Sequence, residues 1–412
     1  MQILIGFLLL IGIKVFSLTE IGKIFSYAFL LYFIVQILIH KKIIFPKTLF
    51  NLLLWFTTIL IIISIIKQFI YTSISVVPVI NMLSIFGGMF WIIYVNINKK
   101  HSIKYYIKQL YNIVNFYVIF NFIFFLIGIQ RTSFGILRSN NAGINEFLNL
   151  LGIQIQRVLF IFAPNLAYFA TVSGVLFILA LFLYIDTHRL KYFLSLIYSI
   201  TSIILVDSRG ALFGLILILI MIIIFRKFWL KYQLILLIVF FFSAFIFTHL
   251  LTFIVDELGI NFMARGEYIL SKRELIWINF NRYYQPNIFQ FFFGYGNTGQ
   301  YISGISNYYS FLFKNWINPT QISLHNNSYQ LLVDIGFIGV ILWFTIFFVL
   351  IKKSIKSYLL NKETSYLAFP AIINYILIVG YTDITTNLAN ISIYFIIFYI
   401  LIATNNSNWK QV

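Results

Sequence analysis

Cysteine is absent from this 412-residue chain, and charge is scarce: 10% of residues are Asp, Glu, Lys or Arg, and only 11 are acidic. The first absence excludes disulfides, thiolate metal sites and cysteine nucleophiles. The second excludes a soluble protein, because so few charges do not coat a water-facing surface. Several catalytic signatures are missing too. There is no DxD pair to hold a metal-bound sugar nucleotide, no HExxH, no GxSxG and no Walker loop.

What is present is apolar. Hydrophobic residues make up 61% of the chain and aromatics 20%, and they gather in long runs. A bilayer core needs about 20 apolar residues per helix, and about twelve such stretches can be placed. They run approximately over 2–18, 21–40, 48–67, 79–98, 108–129, 158–183, 192–207, 210–225, 232–251, 327–351, 366–383 and 387–404. The chain therefore predicts an all-α integral membrane protein with a single polytopic domain over residues 1–412. The first stretch lacks the basic start and small-residue cleavage site of a signal peptide.

Lys and Arg outnumber Asp and Glu by 29 to 11, a net charge of +18. In a soluble chain that excess would point to nucleic acid. Between apolar spans it reads as topology, and no nucleic-acid partner is expected. With a cytoplasmic N-terminus, the inner loops collect 17 basic residues, Lys41, Lys99, Arg226 and Lys352 among them, against two acids, Asp186 and Glu363. The outer side keeps 12 basic and 9 acidic residues. Both termini are thus expected in the cytoplasm.

Two outer segments are too long for simple turns, 130–157 and 252–326. The larger, rich in turn formers such as Gly294, Gly296, Asn297, Gly299 and Gly304, is where an active site is expected. Within it Ser271 and Glu274 read as a capping box opening a short helix through about Tyr284. Ile276, Trp277, Phe280 and Tyr284 would form its apolar face.

The informative polar residues fall at the outer ends of the spans. They are Arg157 opening the sixth span, Asp207 and Arg209 between the seventh and eighth, Arg265 and Arg273 in the large loop, and His325 opening the tenth. A cluster of guanidinium forks suits a pyrophosphate or another strong anion. His325 supplies a group that changes protonation near neutral pH. Each has a plainer reading: Arg157 as an interfacial anchor, Asp207 and Arg209 as the staple of a helical hairpin, Arg273 as a partner of Glu267 or Glu274, and His325 as a helix-entry residue bonded to a loop carbonyl. No histidine has neighbours that suggest a metal site.

These residues stand in an ordered pattern. Arg157 to Ala167 with Pro164 and Asn165, the turn Ser208 to Ala211, Arg273 to Trp277, and Phe293 to Asn297 come first. His325 to Tyr329 and Asp334 to Gly339 follow. Together they resemble the O-antigen polymerase and O-antigen ligase superfamily, integral-membrane glycosyltransferases acting on undecaprenyl-diphosphate-linked glycans in lipopolysaccharide biosynthesis. The resemblance covers residues 157 to 339. It implies a membrane glycosyltransferase fold of the GT-C type, without cofactor, divalent metal or nucleotide sugar. It also implies diphosphate ligation by Arg157, Arg209 and Arg273, activation of the acceptor hydroxyl by His325, and support from Asn165, Asn326 and Asp334; Arg265 joins the expected diphosphate ligands on its charge and its place in the large loop alone. In relatives the position of Asp334 is often Glu, and Arg265 and Arg282 match no motif position.

The chemistry is coherent. A lipid diphosphate is a good leaving group once its charge is stabilised, which arginines can do, and a sugar hydroxyl needs a general base. Direct displacement would invert the anomeric carbon. The implied activity is an O-antigen polymerase working at the periplasmic face on lipid-linked oligosaccharide donor and acceptor, with membrane lipid and a chain-length regulator as partners. A ligase acting on lipid A core and a capsular polysaccharide polymerase are the alternatives. A lipid-linked oligosaccharide flippase is the reading from another class, but no halves related by repeat are evident.

Overall fold

The computed structural model describes residues 1–16, 20–40, 49–72, 76–97, 101–130, 157–257, 273–314, 318–385 and 390–406. Each apolar stretch contains a helix. In chain order these are α1 (Gln2–Val15), α2 (Glu20–His40), α3 (Leu49–Thr72), α4 (Val76–Ile97), α5 (Ile103–Leu126), α6 (Leu166–Thr187), α7 (Leu190–Val206), α8 (Arg209–Ile223) and α9 (Arg226–Asp256). The large loop adds α10 (Arg273–Tyr283), α11 (Ile288–Phe293) and α12 (Gly299–Ile302), before α13 (Asn327–Asn361), α14 (Ala368–Thr382) and α15 (Ile391–Asn406). Among the described residues there is no strand. Among the described residues six segments are long and apolar enough to cross a membrane, Glu20–His40, Ile103–Leu126, Leu166–Thr187, Arg226–Ile254, Asn327–Asn361 and Thr364–Thr382.

The sixth helix starts later than the hydropathy run suggests. Residues 157–165 are not helical, because Pro164 disfavours helical backbone before it and Asn165 caps α6 by accepting from Tyr168 N at 2.7 Å. The lead-in is pinned instead by distant partners. Val158 N donates to Leu205 O, Phe162 N to the Asn121 side chain, and the Tyr117 hydroxyl to Phe162 O, each at 2.9 Å.

Hydrogen bonds between helix ends show an alternating up-and-down arrangement. At one end Arg157 reaches the C-terminus of α7 through Val206 O (3.0 Å), and Asn326, before α13, reaches the C-terminus of α14 through Tyr381 O (2.9 Å). At the other, Asp186 near the C-terminus of α6 accepts from Thr364 and Ser365, while Arg226 opening α9 donates to Tyr358 near the C-terminus of α13. Gly210 and Gly214, one turn apart on α8, let it approach α14 closely. A Cβ would meet Thr382 Oγ1 at 2.8 Å and Val379 at 3.0 Å respectively.

The large loop is seated on a break in α13. At Gly336 the backbone leaves the helix (φ 68°, ψ −177°), freeing carbonyls that a continuous helix would have bonded internally. Val333 O accepts from Tyr295 N at 2.7 Å, and Asp334 O accepts from Gly296 N and the Ser64 hydroxyl of α3, both at 2.9 Å. Gly336 lies against Phe292, where a Cβ would sit 2.4 Å from its carbonyl. Helix α10 falls within the helix expected from the Ser271–Glu274 capping box to about Tyr284, and Ile276, Trp277 and Phe280 of its expected apolar face are buried. Ser271, the other half of the capping box, lies outside the described residues, as does most of segment 130–157.

Gly336→Ala combines a left-handed φ with a backbone clash and should cost more than about 3 kcal/mol, read as loss of folded, detergent-extractable protein. Gly128→Ala has the same handicap of positive φ (81°) but open space around it, and should cost only about 1 kcal/mol, leaving yield near normal.

Candidate functional site

Two of the residues singled out at the helix ends, Arg209 and Arg273, line one cavity of about 540 Å³. Its polar head carries Arg209 of α8, Arg273 of α10, and Tyr381 and Thr382 of α14, while Phe213, Leu217, Val239, Phe240 and Ile378 line the rest. Leu217 lies eight residues beyond Arg209, so the apolar part extends roughly 12 Å down α8. Phe213 is 63% and Val239 50% exposed, which places one wall on the outside of the bundle. Both arginines are the first residues of their helices, where backbone N–H groups add to the attraction for an anion.

A chain of charges links this cavity to the histidine. Arg157 feels the charges of Asp207 and Arg209, Arg273 those of Asp383, Arg209 and Glu274, and His325 those of Asp383 and Arg273. Burial lowers the affinity of the Arg157 and Arg273 guanidinium groups for their protons, with Asp207 and Asp383 respectively opposing it. Arginine stays charged regardless, so the net effect is cationic groups poorly hydrated and ready for an anion.

His325 is held from both sides in the chain. Leu324 donates its N–H to Gln330 (3.1 Å) and its carbonyl accepts from the Trp277 indole (2.9 Å). Asn326 caps α13 by accepting from Ser328 N and Tyr329 N. Between them His325 adopts a left-handed backbone, φ 50°, unusual for a residue with a side chain. Its Nδ1 lies 4.0 Å from Asp383 Oδ1, too far for a hydrogen bond, and is sealed from solvent. The side chain nevertheless keeps 23% exposure, so its accessible edge is the one away from Nδ1. Burial pushes the imidazole down to about 4, Asp383 opposes this and Arg273 adds to it. At neutral pH the ring is therefore uncharged and able to accept a proton.

Asp383 is the site residue that motif reading missed. It closes α14 as the C-cap residue and is the last acidic residue in the sequence. A lone carboxylate at the end of an apolar span was the available signal.

Asp334 stands apart from this cluster. Its carboxylate accepts from Gly299 N (2.8 Å) and Gln330 Nε2 (2.9 Å), so it secures the loop and, through Gln330, the segment entering His325. Asn165 acts as a helix cap. Arg282 is exposed on α10, and Arg265 lies outside the described residues. Gly294, Gly296 and Gly299 spell GxGxxG, yet they follow a short helix and not a strand. Gly296 N, Gly299 N and Tyr295 N are engaged by Asp334 and Val333, which leaves none of these three for a nucleotide phosphate.

Residues 194–344 match the family model described as O-antigen ligase. The resemblance read from the ordered motifs is thereby borne out. The matched stretch, a little over a third of the chain, contains Arg209, Arg273, His325, Asn326 and Asp334, while Arg157, Asn165 and Asp383 lie outside it. Members of that family are glycosyltransferase-like enzymes. No curated protein and no solved structure matches the chain.

Histidine NMR, assigned with His325→Gln, should place protonation of His325 near pH 4. Because Asp383 holds that value up, Asp383→Asn should move it lower. A midpoint near 6.5, or an upward shift in the variant, would contradict the described environment.

Proposed function

We propose that this chain is an O-antigen polymerase, transferring a growing glycan from undecaprenyl diphosphate to a lipid-linked repeat unit. The observation that carries the reading is the pairing of Arg209 and Arg273 at the head of an apolar cavity with a neutral histidine beside them. A polyprenyl chain is apolar and its diphosphate is a strong anion, so one molecule satisfies both halves of that cavity. In this reading all twelve apolar helices span the inner membrane in a GT-C type arrangement, both termini are cytoplasmic, and the site faces the periplasm.

In the reaction, His325 takes the proton of the acceptor hydroxyl through the edge away from Asp383. The hydroxyl oxygen attacks the anomeric carbon of the donor sugar as the bond from that carbon to the diphosphate oxygen breaks. The anomeric configuration inverts, and undecaprenyl diphosphate leaves with the electron pair, its charge held by Arg209 and Arg273 with Arg157 behind them. A base with so low a proton affinity is compensated by the donor itself, whose diphosphate charge raises the affinity of a nearby imidazole. Asp383 stabilises the imidazolium and is positioned to close its 4.0 Å gap once that charge forms. Cationic side chains thus supply the charge stabilisation that a divalent ion supplies elsewhere, and a chain-length regulator is the expected protein partner.

A ligase reading, transfer to lipid A core, is favoured by the description of the matched family. Purified protein given only lipid-linked repeat units separates the two: elongation supports the polymerase, and product formed only after lipid A core is added establishes the ligase. His325→Ala should reduce transfer by about 10²-fold or more at normal protein level. Arg209→Lys and Arg273→Lys should each impair it despite conserved charge, because the guanidinium fork is lost. Full activity in the histidine variant would remove the catalytic assignment.

A further inference from the structure

The outer surface of the large loop carries a pair of tyrosines that no packing or catalytic role described so far uses. Tyr283, the last residue of α10, and Tyr308, in the 3-10 turn Ile305–Tyr308, stack face to face with ring centroids 4.0 Å apart and an interplanar angle of 6°. Each ring thus has one face covered by the other. Even so, Tyr283 is 45% and Tyr308 48% exposed, so the remaining faces are open. A buried stack would hold the loop together at no exposure, whereas this one presents large apolar faces to the medium.

The stack is continuous with the candidate site along two routes. On α10, Arg273 and Tyr283 are the first and last residues and lie roughly 15 Å apart along the axis. Along the second route, the turn bearing Tyr308 leads through Ser310–Phe313 to Phe313, whose ring lies 6.2 Å from that of His325 at 26°. An occupant on this second route would reach from His325 past Phe313 to the tyrosine pair, and none of these four residues lines the cavity headed by Arg209 and Arg273. Exposed amides flank the far end, Gln285 after α10 and Asn307 beside Tyr308.

We propose that Tyr283 and Tyr308 form a glycan subsite that holds the acceptor oligosaccharide distal to the hydroxyl activated by His325. The proposal rests on the transferase reading above and extends it. A pyranose ring has an apolar C–H face and a rim of hydroxyls. The C–H face packs on the electron-rich face of an aromatic ring, and amide side chains satisfy the rim. Assignment to the acceptor follows from the contact of Phe313 with His325, since the path starts at the base and its residues are separate from the lining of the arginine-headed cavity. A neutral aromatic platform suits an uncharged sugar, in contrast to the arginines that suit the diphosphate.

The test uses the full-length protein in nanodiscs. Tyr308→Ala and the double variant Tyr283→Ala with Tyr308→Ala should raise KM for the lipid-linked acceptor about tenfold. KM for the donor and kcat should stay within about twofold, and Tyr308→Phe, which keeps the ring face, should behave as the parent. Saturation-transfer NMR with the delipidated repeat-unit oligosaccharide supplies a readout without turnover. Contact should persist in His325→Ala and disappear when Tyr308→Ala is added. Unchanged acceptor KM together with retained saturation transfer would overturn the subsite, and a rise confined to donor KM would overturn its assignment to the acceptor. If the parent protein transfers no glycan, the transferase reading fails on its own, while saturation transfer still reports on the tyrosine pair.

Discussion

When a helix breaks inside an apolar bundle, the carbonyls it releases have no water to turn to and must be satisfied by protein. At Gly336 of α13 they are satisfied by the large loop, whose backbone N–H groups at Tyr295 and Gly296 bond Val333 O and Asp334 O. The remaining organisation of the site follows from that seat. The Asp334 carboxylate takes Gly299 N, and Gln330, one turn earlier, reaches both Asp334 and Leu324 N. Leu324 in turn sets the backbone of His325. A break near one end of a long helix therefore fixes the approach of the histidine, and the loop cannot shift without stranding buried polar groups.

The site divides its labour by polarity. Arg273 is partly withdrawn from solvent at a cavity whose walls are mostly apolar, which strengthens the field of its charge there, while Arg209 beside it is exposed. In the proposed reaction His325 has the opposite requirement, since a general base must be neutral before it can take a proton. Burial and the neighbouring Arg273 both keep it so, and Asp383 limits how far they do. Placing a cation near a base normally weakens the base. In the proposed reaction the same cation would bind the diphosphate, whose charge would restore the base and so couple proton acceptance to the presence of donor.

Much of the fold was legible because the signals were local. Apolar runs, with Asn165, Ser102 and Asn326 acting as caps, mark helices without reference to the rest of the chain. The late start of α6 was also readable in principle from Pro164 and Asn165, but hydropathy counts Phe160 and Phe162 as span residues whatever their backbone does. Arg209, Arg273 and His325 were legible as a group through ordered motifs. Asp334 was legible as important, though its work is to hold the loop, since motif order carries no information on which residues share a cavity. Asp383 was not found because nothing near it in sequence distinguishes a site carboxylate from an interfacial one.

Composition and local pattern by themselves determined that this chain is helical and apolar, which ends of its helices carry charge, and which arginines and histidine deserve chemical attention. Only the tertiary structure decided that Asp383 faces His325, that α13 opens at Gly336 to receive the loop, that the two arginines head one apolar cavity, and that Tyr283 lies on Tyr308. The reason is physical: helix formation and membrane partition depend on neighbours within a turn or two. The proton affinity of His325 and the hold on an anion depend on burial and on charges brought together from α8, α10 and α14, and these exist only once the helices have packed.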